Sequence, residues 1–509
     1  MRSKLLYTCL GFAVAGAFAA VPQDVAAQSS TVLRVGQQDE PDALDPARSG
    51  TFAGRITFMA LCDKLWDLQP DLSFKPQLAT SWKWSEDSRA LTITLREGVT
   101  LHDGTPMTAE VVKANLERYR TAAESNRKGE LRSVTAIEVV DAKTVRLVMS
   151  QPFAPLLAAL SDRAGMIASP AVFQRLGADF FKEPVCSGPF KYVERVAQDR
   201  IVVEKFPGYW DAGAIKIDRI VFRMLPDTTV RLVNLQAGQL DMLQDLAPAD
   251  AGKVKADAKL RLVTTPGLGY ATIAFNLANG AASDNPMGRN AKVRAAFEAA
   301  IDRNVINQVA LEGLFVPNNQ TELPSSPYFN KSLPVPGRDL AKARALLKEA
   351  GVEKPVFELM VVKTPRDVQV AEIIQSMANE AGFDVRVRAG EVNSNIAAMG
   401  RGGYQGHINN WSGRADPDLN ISIFIGADSF QNWGKYNSPV FEAAMGKARA
   451  ETDPVKRAAA YADVTKIYLE DRPMLNLYNL TWLFAHSARV SGFVPVPDGL
   501  IRFQGMKLD

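Results

Sequence analysis

Cysteine and histidine are scarce in this chain, whose 509 residues contain three of each. His102, His407 and His486 stand at no spacing typical of zinc ligands, and the cysteines form no C-x2-C motif. Blocks of like charge are missing too, and the net charge is only +3. The sequence therefore predicts no metal site, and it makes nucleic acid or an anionic membrane an unexpected partner.

Catalytic signatures are also missing. No serine lies in a G-x-S-x-G elbow, because "WSGR" lacks the glycine that should stand two residues before Ser412. There is no Walker A motif, and the glycines of "GLGYAT" (267–272) precede a predicted strand instead of following one. We therefore expect no catalytic residues and no cofactor. What remains is a globular composition, 47% hydrophobic and 23% charged, long enough for two or three domains.

The longest apolar run, "LLYTCLGFAVAGAFAA" (5–20), lies at the N-terminus behind Arg2 and Lys4. Its 16 residues fall short of the ~20 that span a bilayer, and the small residues of "VAA" follow. We expect residues 1–27 to be a cleaved signal peptide. Export would leave Cys62 and Cys186 in an oxidising compartment, which favours a disulfide between them. Two buried free thiols are the alternative.

Periodicity predicts a chain of mixed α/β type. Apolar and polar residues alternate in 91–101, as in a half-buried strand, and Thr108 is placed to cap a helix over 109–120. From about residue 270 strands and helices alternate, with Asp339 predicted to cap one of these helices. Such alternation is typical of parallel strands joined by helical crossovers.

One stretch, "NNWSGRADPD" (409–418), concentrates groups that could bind a ligand. Trp411 offers a stacking face, Arg414 a fork for a carboxylate or phosphate, and Asp416 an acceptor for an ammonium group. Alternatively, Arg414 and Asp416 pair with each other or cap a turn. A hydrolase using Asp416 and Asp418 is disfavoured, because paired catalytic carboxylates normally come from separate elements. His407 lies nearby, although a lone histidine is more often simply packed.

Several segments, in order, resemble the family 5 extracellular solute-binding proteins of ABC importers, the dipeptide, oligopeptide and nickel-binding group. The segment "LATSWKWSEDSRALTITLREGVTLHDGTPMTAEVVKANLERY" (78–119) is similar to the signature region of this family. Further matches are "SGPFKYVE" (187–194), "IAFNLANGAASDNPMGRNAKVRAAFEAAIDRNVI" (273–306), "WSGRADPD" and the tail "VPDG". The stretches "ALCDKL" and "PVCSGPF" look like a subgroup with a cysteine pair, which supports the Cys62–Cys186 bridge.

The resemblance implies a fold and its division into domains. The expected fold is an α/β two-lobed periplasmic-binding-protein clamp, type II-like and of cluster C, with an extra subdomain. Lobe I would comprise 28–59, 185–269 and 481–509, the extra subdomain 60–184, and lobe II 270–480. The strands that cross between the lobes would act as the hinge.

The resemblance also implies a function. The protein would be a monomeric periplasmic receptor that captures a small molecule or peptide and delivers it to inner-membrane ABC permease subunits. Asp416 would meet the amino terminus of a peptide-like ligand and Arg414 an anionic group, with Gln38 and Glu40 across the cleft. We expect Asp416→Ala and Arg414→Ala to weaken binding without affecting the fold.

The sequence leaves two other functions and the ligand open. An exported hydrolase using cleft carboxylates and a chaperone-like binder of unfolded chains are the alternative functions. Peptides are the usual ligands of the family, and nickel chelates, oligosaccharides, glutathione and opine-like compounds occur on the same fold.

Overall fold

The computed structural model describes residues 31–509. The predicted signal peptide at 1–27 lies outside the described residues. Within 31–509, no helix is both long and apolar enough to cross a membrane.

Strands and helices alternate through most of this range. The strands are β1 (Val32–Gln37), β2 (Trp66–Leu68), β3 (Phe74–Pro76), β4 (Ala79–Trp84), β5 (Ala90–Leu95), β6 (Val134–Asp141), β7 (Thr144–Met149), β8 (Phe190–Val196), β9 (Arg200–Lys205), β10 (Arg219–Met224), β11 (Met242–Leu243), β12 (Leu260–Phe275), β13 (Val316–Pro317), β14 (Val356–Val362), β15 (Asp384–Gly390), β16 (Gly406–Trp411), β17 (Met474–Ser487), β18 (Val490–Ser491) and β19 (Lys507–Leu508).

The α-helices are α1 (Phe52–Leu61), α2 (Ala109–Thr121), α3 (Leu156–Leu160), α4 (Pro170–Leu176), α5 (Thr228–Gln236), α6 (Ala251–Ala256), α7 (Pro286–Arg289), α8 (Ala291–Ala300), α9 (Arg303–Ala310), α10 (Leu340–Glu349), α11 (Pro365–Glu380), α12 (Val392–Gly400), α13 (Pro417–Ile425), α14 (Pro439–Ala450) and α15 (Pro454–Asp471).

Eleven strands form one mixed sheet in the order β15-β14-β16-β12-β17-β11-β1-β10-β9-β8, with β13 paired to β17 off this path. Strand β1 runs parallel to both β10 and β11, and β14 runs parallel to both β15 and β16. The predicted parallel pair around α11 is therefore confirmed as β14 and β15. The sheet thus contains two groups of parallel strands, β11-β1-β10 towards one end and β15-β14-β16 at the other.

The long antiparallel strands β12 and β17 join these two groups. Their pairing shifts register between Pro266 and Tyr270, and β17 contacts β11 near its end but β13 near its middle. Both strands run across the lobe boundaries that the sequence predicts near 269 and 480. The domain division itself stays a prediction, with this strand pair as the expected hinge.

A separate antiparallel sheet, β4-β5-β7-β6, packs on α2 around its own apolar core. Strands β5 and β7 alternate buried residues with more accessible ones, because one face meets the core and the other meets solvent. Residues of this core, such as Leu91, Ile93 and Leu147, are fully buried. This sheet lies wholly within the predicted extra subdomain.

Helix starts follow the sequence signals closely. Thr108 and Asp339 accept hydrogen bonds from backbone amides of the first turns of α2 and α10, as predicted. Asp453 does the same for α15, where Pro454 takes the first helical position. The predicted disulfide is confirmed: Cys62, directly after α1, bonds to Cys186. The bridge fixes the end of α1 to the segment that precedes β8.

Candidate functional site

A cavity of about 780 Å³ lies where the two strand groups and α1 meet. Its wall includes five of the six residues that the sequence predicts for ligand binding: Gln38, Glu40, His407, Trp411 and Arg414. Asp416 is not part of this wall. The cavity is large enough for a solute of several tens of atoms, and it is the candidate ligand site.

Three buried arginines, Arg55, Arg163 and Arg414, form one end of the cavity, and we call them the arginine cluster. Arg55 Nη2 and Arg414 Nε each lie 2.8 Å from Asp162 Oδ2, and Arg163 Nε lies 3.6 Å from Asp162 Oδ1. Among residues 31–509, Asp162 is the one carboxylate within 4.0 Å of these three side chains. The cluster therefore keeps an excess of about two positive charges.

The electrostatics of the cluster reflect that imbalance. Burial raises the pKa of the Asp162 carboxyl, but Arg414, Arg55 and Arg163 outweigh it and hold that pKa well below its usual range. Burial, together with the charge of Arg55, lowers the pKa of Arg414 to about 10. Burial and the neighbouring charge of Arg127 lower the pKa of Arg163 well below its ordinary value. Guanidinium groups keep their charge in proteins, so an anion that enters the cavity here meets cations that Asp162 compensates only in part.

Backbone geometry places Arg414 at the cavity wall. Gly413 adopts φ +80°, and a Cβ there would come within 2.2 Å of the Leu268 carbonyl carbon, so only glycine fits. Beyond this turn the Arg414 guanidinium lies over the Trp411 ring, 4.5 Å from its centroid. The ring also donates from Nε1 to Asn420. One face of Trp411 thus holds Arg414 and is not free to stack on a ligand.

The opposite charge gathers at another part of the wall, formed by Asp39, Asp245 and Asp367, which we call the acidic end. Arg366 lies 2.8 Å from Asp245 and 3.0 Å from Asp367. Two carboxylates thus neutralise this arginine, whereas Asp39 has no ion pair or hydrogen bond within 31–509. Burial, with smaller contributions from Glu391, Asp245 and Asp367, raises the pKa of Asp39 to about 6.

The remaining predicted residues differ in whether their side chains already have a partner in the protein. Glu40 is bound to Arg195, with 2.6 Å between Oε1 and Nε, so its charge is already paired. His407 is 3% exposed and neither ring nitrogen has a hydrogen-bond partner within the described chain. Burial lowers its pKa to about 3. His407 is therefore a neutral part of the wall, and Gln38 lines the cavity without a charge.

Asp416 makes structural contacts outside the cavity wall. Its carboxylate accepts the backbone N–H of Asp418 at the start of α13 and lies 2.8 Å from Arg457. Neither it nor Arg414 pairs with the other, contrary to one alternative from the sequence. Since Asp416 is 7% exposed and caps a buried helix, the structure instead predicts that its replacement destabilises the fold.

We therefore expect Asp416→Asn to lower the free energy of unfolding by about 1–3 kcal/mol, because Arg457 loses its charged partner. The side-chain oxygen of the new asparagine can still accept the helix-capping hydrogen bond, so the loss of stability measures the contribution of the ion pair. Denaturant unfolding measures the loss, and calorimetry on the folded variant should give unchanged affinity for the bound solute. A loss of affinity in fully folded protein would return Asp416 to the site.

The sequence did not single out Arg55, Arg163, Asp39 or Asp367. Arg55 did carry a signal, since it is the one charged residue of the otherwise apolar helix "FAGRITFMAL". A charge in such a helix needs a partner or a function. Which residues lie beside Arg55 depends on how the segments 162–163 and 411–414 pack against α1. Local sequence patterns do not encode that packing.

The described residues contain no group of three or more side chains arranged to hold a metal ion. His102 instead contacts the Gly188 carbonyl at 3.0 Å, and His486 lies on β17, away from the cavity wall.

Known proteins share this architecture. Residues 73–432 match the model of the bacterial extracellular solute-binding proteins, family 5 Middle. A glutathione-binding protein, GsiB, of Salmonella typhi is 28% identical over 501 residues, which cover 95% of each chain.

Among solved structures, a dipeptide-binding protein from Pseudoalteromonas sp. SM9913 in complex with Met-Leu has a TM-score of 0.87 at 23% identity, covering 94% of this chain and 100% of its own. The binding protein AgaA from A. tumefacien R10, in complex with agropinic acid, has a TM-score of 0.84 at 26% identity, covering 94% and 99%.

These likenesses confirm the predicted α/β two-lobed clamp. They also identify a binding protein of ABC transport instead of an enzyme, which removes support from the exported-hydrolase alternative. Because the family model spans well over half of the sequence, the chain belongs to the bacterial extracellular solute-binding proteins of family 5.

Proposed function

We propose that the protein captures a small organic solute that carries a carboxylate and delivers it from the periplasm to the permease of an ABC importer. The single observation that carries the proposal is the arginine cluster, in which three buried cations at the cavity wall share one carboxylate. An excess of buried positive charge is costly unless an anion compensates it. A ligand carboxylate supplies that compensation and accepts the fork of donors that guanidinium groups present.

The cation excess is not satisfied by another nearby carboxylate. Arg127, the next arginine, is already paired with Glu130. Arg55 Nη1 donates to Ser412 Oγ at 2.8 Å, and Arg163 Nη1 donates to the Ser49 carbonyl at 2.7 Å. These contacts fix the orientation of the side chains without cancelling their charge. In the closed form these side chains are already oriented, so little side-chain entropy is lost when they engage the anion.

The names of similar proteins support an amino-acid-derived solute. The relatives compared above are a glutathione-binding protein and proteins in complex with the dipeptide Met-Leu and with agropinic acid. All three solutes are small acids, which agrees with a cationic anchor in the cavity. A peptide or peptide-like acid of similar size is thus the favoured ligand class for this chain.

Ligand capture would use closure of the clamp. Arg414 follows β16 in predicted lobe II, and Asp162 lies in the predicted extra subdomain, so their 2.8 Å ion pair joins the two sides of the cavity. Opening about the β12–β17 strands would separate them and admit the solute. The anion would then favour closure, because only the closed form brings all three arginines together.

Native mass spectrometry of the protein, purified without unfolding, tests the ligand class. We expect a bound species that is an organic acid, identified after release by its fragmentation. If the only bound species is a neutral sugar, or an amine without an acidic group, the proposal is overturned. A thermal-shift screen of peptides and related acids provides the second arm, with stabilisation of ~2.7 kcal/mol at 100 times the dissociation constant.

Arg414→Gln tests the anchor itself. Removal of one guanidinium should weaken binding of the identified acid about 10- to 100-fold, the range expected for a charge-assisted hydrogen bond. Folding should persist, since Arg55 and Arg163 still neutralise Asp162. Arg200→Gln is the matched control, because Arg200 pairs with surface carboxylates and lies outside the cavity wall. Equal affinities of the two variants in calorimetry would contradict the assignment.

A further inference from the structure

One carboxylate at the acidic end of the cavity, that of Asp39, is not paired with a cation within 31–509. Asp245 and Asp367 are both engaged by Arg366, and Asn410 Nδ2 donates to Asp367 at 3.2 Å. Arg231 is the other cation nearby, but its Nη1 donates to the carbonyls of Leu225 and Pro226. Asp39 therefore remains without a direct partner within 31–509, in a part of the cavity wall where its carboxylate neighbours increase its negative potential.

A second feature of the same segment also points to a ligand. Gln37, two residues before Asp39, lines the cavity and is only 2% exposed. Neither its amide nitrogen nor its amide oxygen has a hydrogen-bond partner in the described chain. Buried polar groups are nearly always satisfied, so an amide with both ends free beside a cavity indicates a missing polar partner. The backbone of Gln37 is held, since its carbonyl accepts the N–H of Leu225.

The two charged parts of the wall involve separate residues. The strongest charge effects on Asp39 come from Arg231, Glu391, Asp245 and Asp367, whereas the strongest on Asp162 come from the arginine cluster. The link between them is the short segment from Asn410, which contacts Asp367, to Arg414, which contacts Asp162. The cavity wall thus carries a surplus of cations at the arginine cluster and, at Asp39, a carboxylate without a direct partner in the described residues.

We propose that Asp39 and Gln37 bind a cationic group, an ammonium in the simplest case, of the same solute whose carboxylate the arginine cluster holds. This inference rests on the proposed function and sharpens it: the ligand is a dipolar, amino-acid-derived compound and not a simple organic acid. The ammonium donates to the Asp39 carboxylate and to the Gln37 amide oxygen. Arg366 does not bind the carboxylate of the ligand, because Asp245 and Asp367 already neutralise the charge of Arg366.

Paired probes test the assignment. Amino acids, α-linked dipeptides including Met-Leu, and glutathione are each compared with their N-acetylated forms, which keep every carboxylate but lose the cation. Binding to the full-length mature protein is measured by thermal shift and then by calorimetry. We expect the free-amine member of a binding pair to bind about 10- to 100-fold more tightly than its acetylated partner, as for a charge-assisted hydrogen bond.

Asp39→Asn gives the complementary measurement. It should reduce affinity for the free-amine probe about 10- to 100-fold while leaving affinity for the acetylated probe unchanged within about twofold. The change is isosteric and Asp39 has no ion pair to break, so the unliganded variant should unfold at a denaturant concentration no lower than the wild type. Asp463→Asn is the control, an exposed carboxylate on α15 away from the cavity.

The possible outcomes separate the two proposals. If the acetylated probes bind as tightly as the free amines, or if Asp39→Asn weakens both equally, the cation subsite is refuted while the carboxylate anchor stands. If no probe that carries a carboxylate binds, the proposed function fails together with the subsite. Selective loss of the free-amine advantage in Asp39→Asn supports both.

Discussion

Asp162→Asn is expected to lower the free energy of unfolding of the unliganded protein by about 3–5 kcal/mol, the usual cost of removing one partner from a buried charge network. Asp162 is 5% exposed and is the shared counterion of Arg55, Arg163 and Arg414. Its loss leaves three buried guanidinium groups facing one another. Denaturant unfolding at neutral pH measures the change, with Asp463→Asn as the surface control.

The pH dependence of this effect has a defined sign. The three arginines hold the folded-state pKa of Asp162 below its ordinary value of 3.8, so its ionisation stabilises the fold above that pH. The advantage of wild type over Asp162→Asn should therefore be complete at neutral pH and decline only below pH 3.8. An equal loss at pH 7 and pH 2.5 would show that the variant fails by packing instead of charge.

The carboxylate ligand should act on this variant more strongly than on the wild type. With Asp162 removed, the bound solute becomes the main counterion of the arginine cluster. We expect saturating ligand to raise the unfolding midpoint of Asp162→Asn by more than it raises that of the wild type. An equal or smaller increase would indicate that the ligand does not contact the cluster.

Loss of the Cys62–Cys186 bridge should have a comparable effect on stability. The bridge spans 124 residues, and closing so long a loop contributes about 5 kcal/mol in the chain-entropy model. We expect the double variant Cys62→Ser/Cys186→Ser to lose several kcal/mol of unfolding free energy. Denaturant unfolding measures this loss, and reduction of the wild type should reproduce most of it.

The bridge also bears on the ligand site. It ties the end of α1 to the chain before β8, and Gly188 N–H donates to the Leu61 carbonyl at the same point. Because Arg55 projects from α1, the reduced protein should bind the carboxylate ligand more weakly. Thiol titration of the unfolded, unreduced protein is the control, and two reactive thiols from Cys62 and Cys186 would contradict the bridge.

Much of the fold follows from local sequence signals. The caps at Thr108 and Asp339 set helix starts that the structure reproduces, because capping depends on residues only two or three apart. By contrast, the strand predicted from Tyr270 begins at Leu260, since β12 continues through Pro266 and two glycines with a register shift. Pairing with β17 outweighs those local breaking signals, and the sequence pattern alone does not contain it.

The site shows the same limit. Arg414 and Trp411 stood out as chemistry-bearing residues in an irregular stretch, and both line the cavity. Asp416 drew the same attention, yet Asp416–Pro417 is the same N-cap signature that correctly marks α15 at Asp453–Pro454. Arg163 and Asp39 meet the cavity only through long-range packing, so the roles proposed for them rest on the three-dimensional arrangement.

A crystal structure of the protein with its co-purified solute tests the central claim most directly. We predict a carboxylate of the solute within hydrogen-bonding distance, about 2.7–3.0 Å, of guanidinium nitrogens of the arginine cluster. A solute whose acidic group lies elsewhere, or which has no acidic group, would contradict the account.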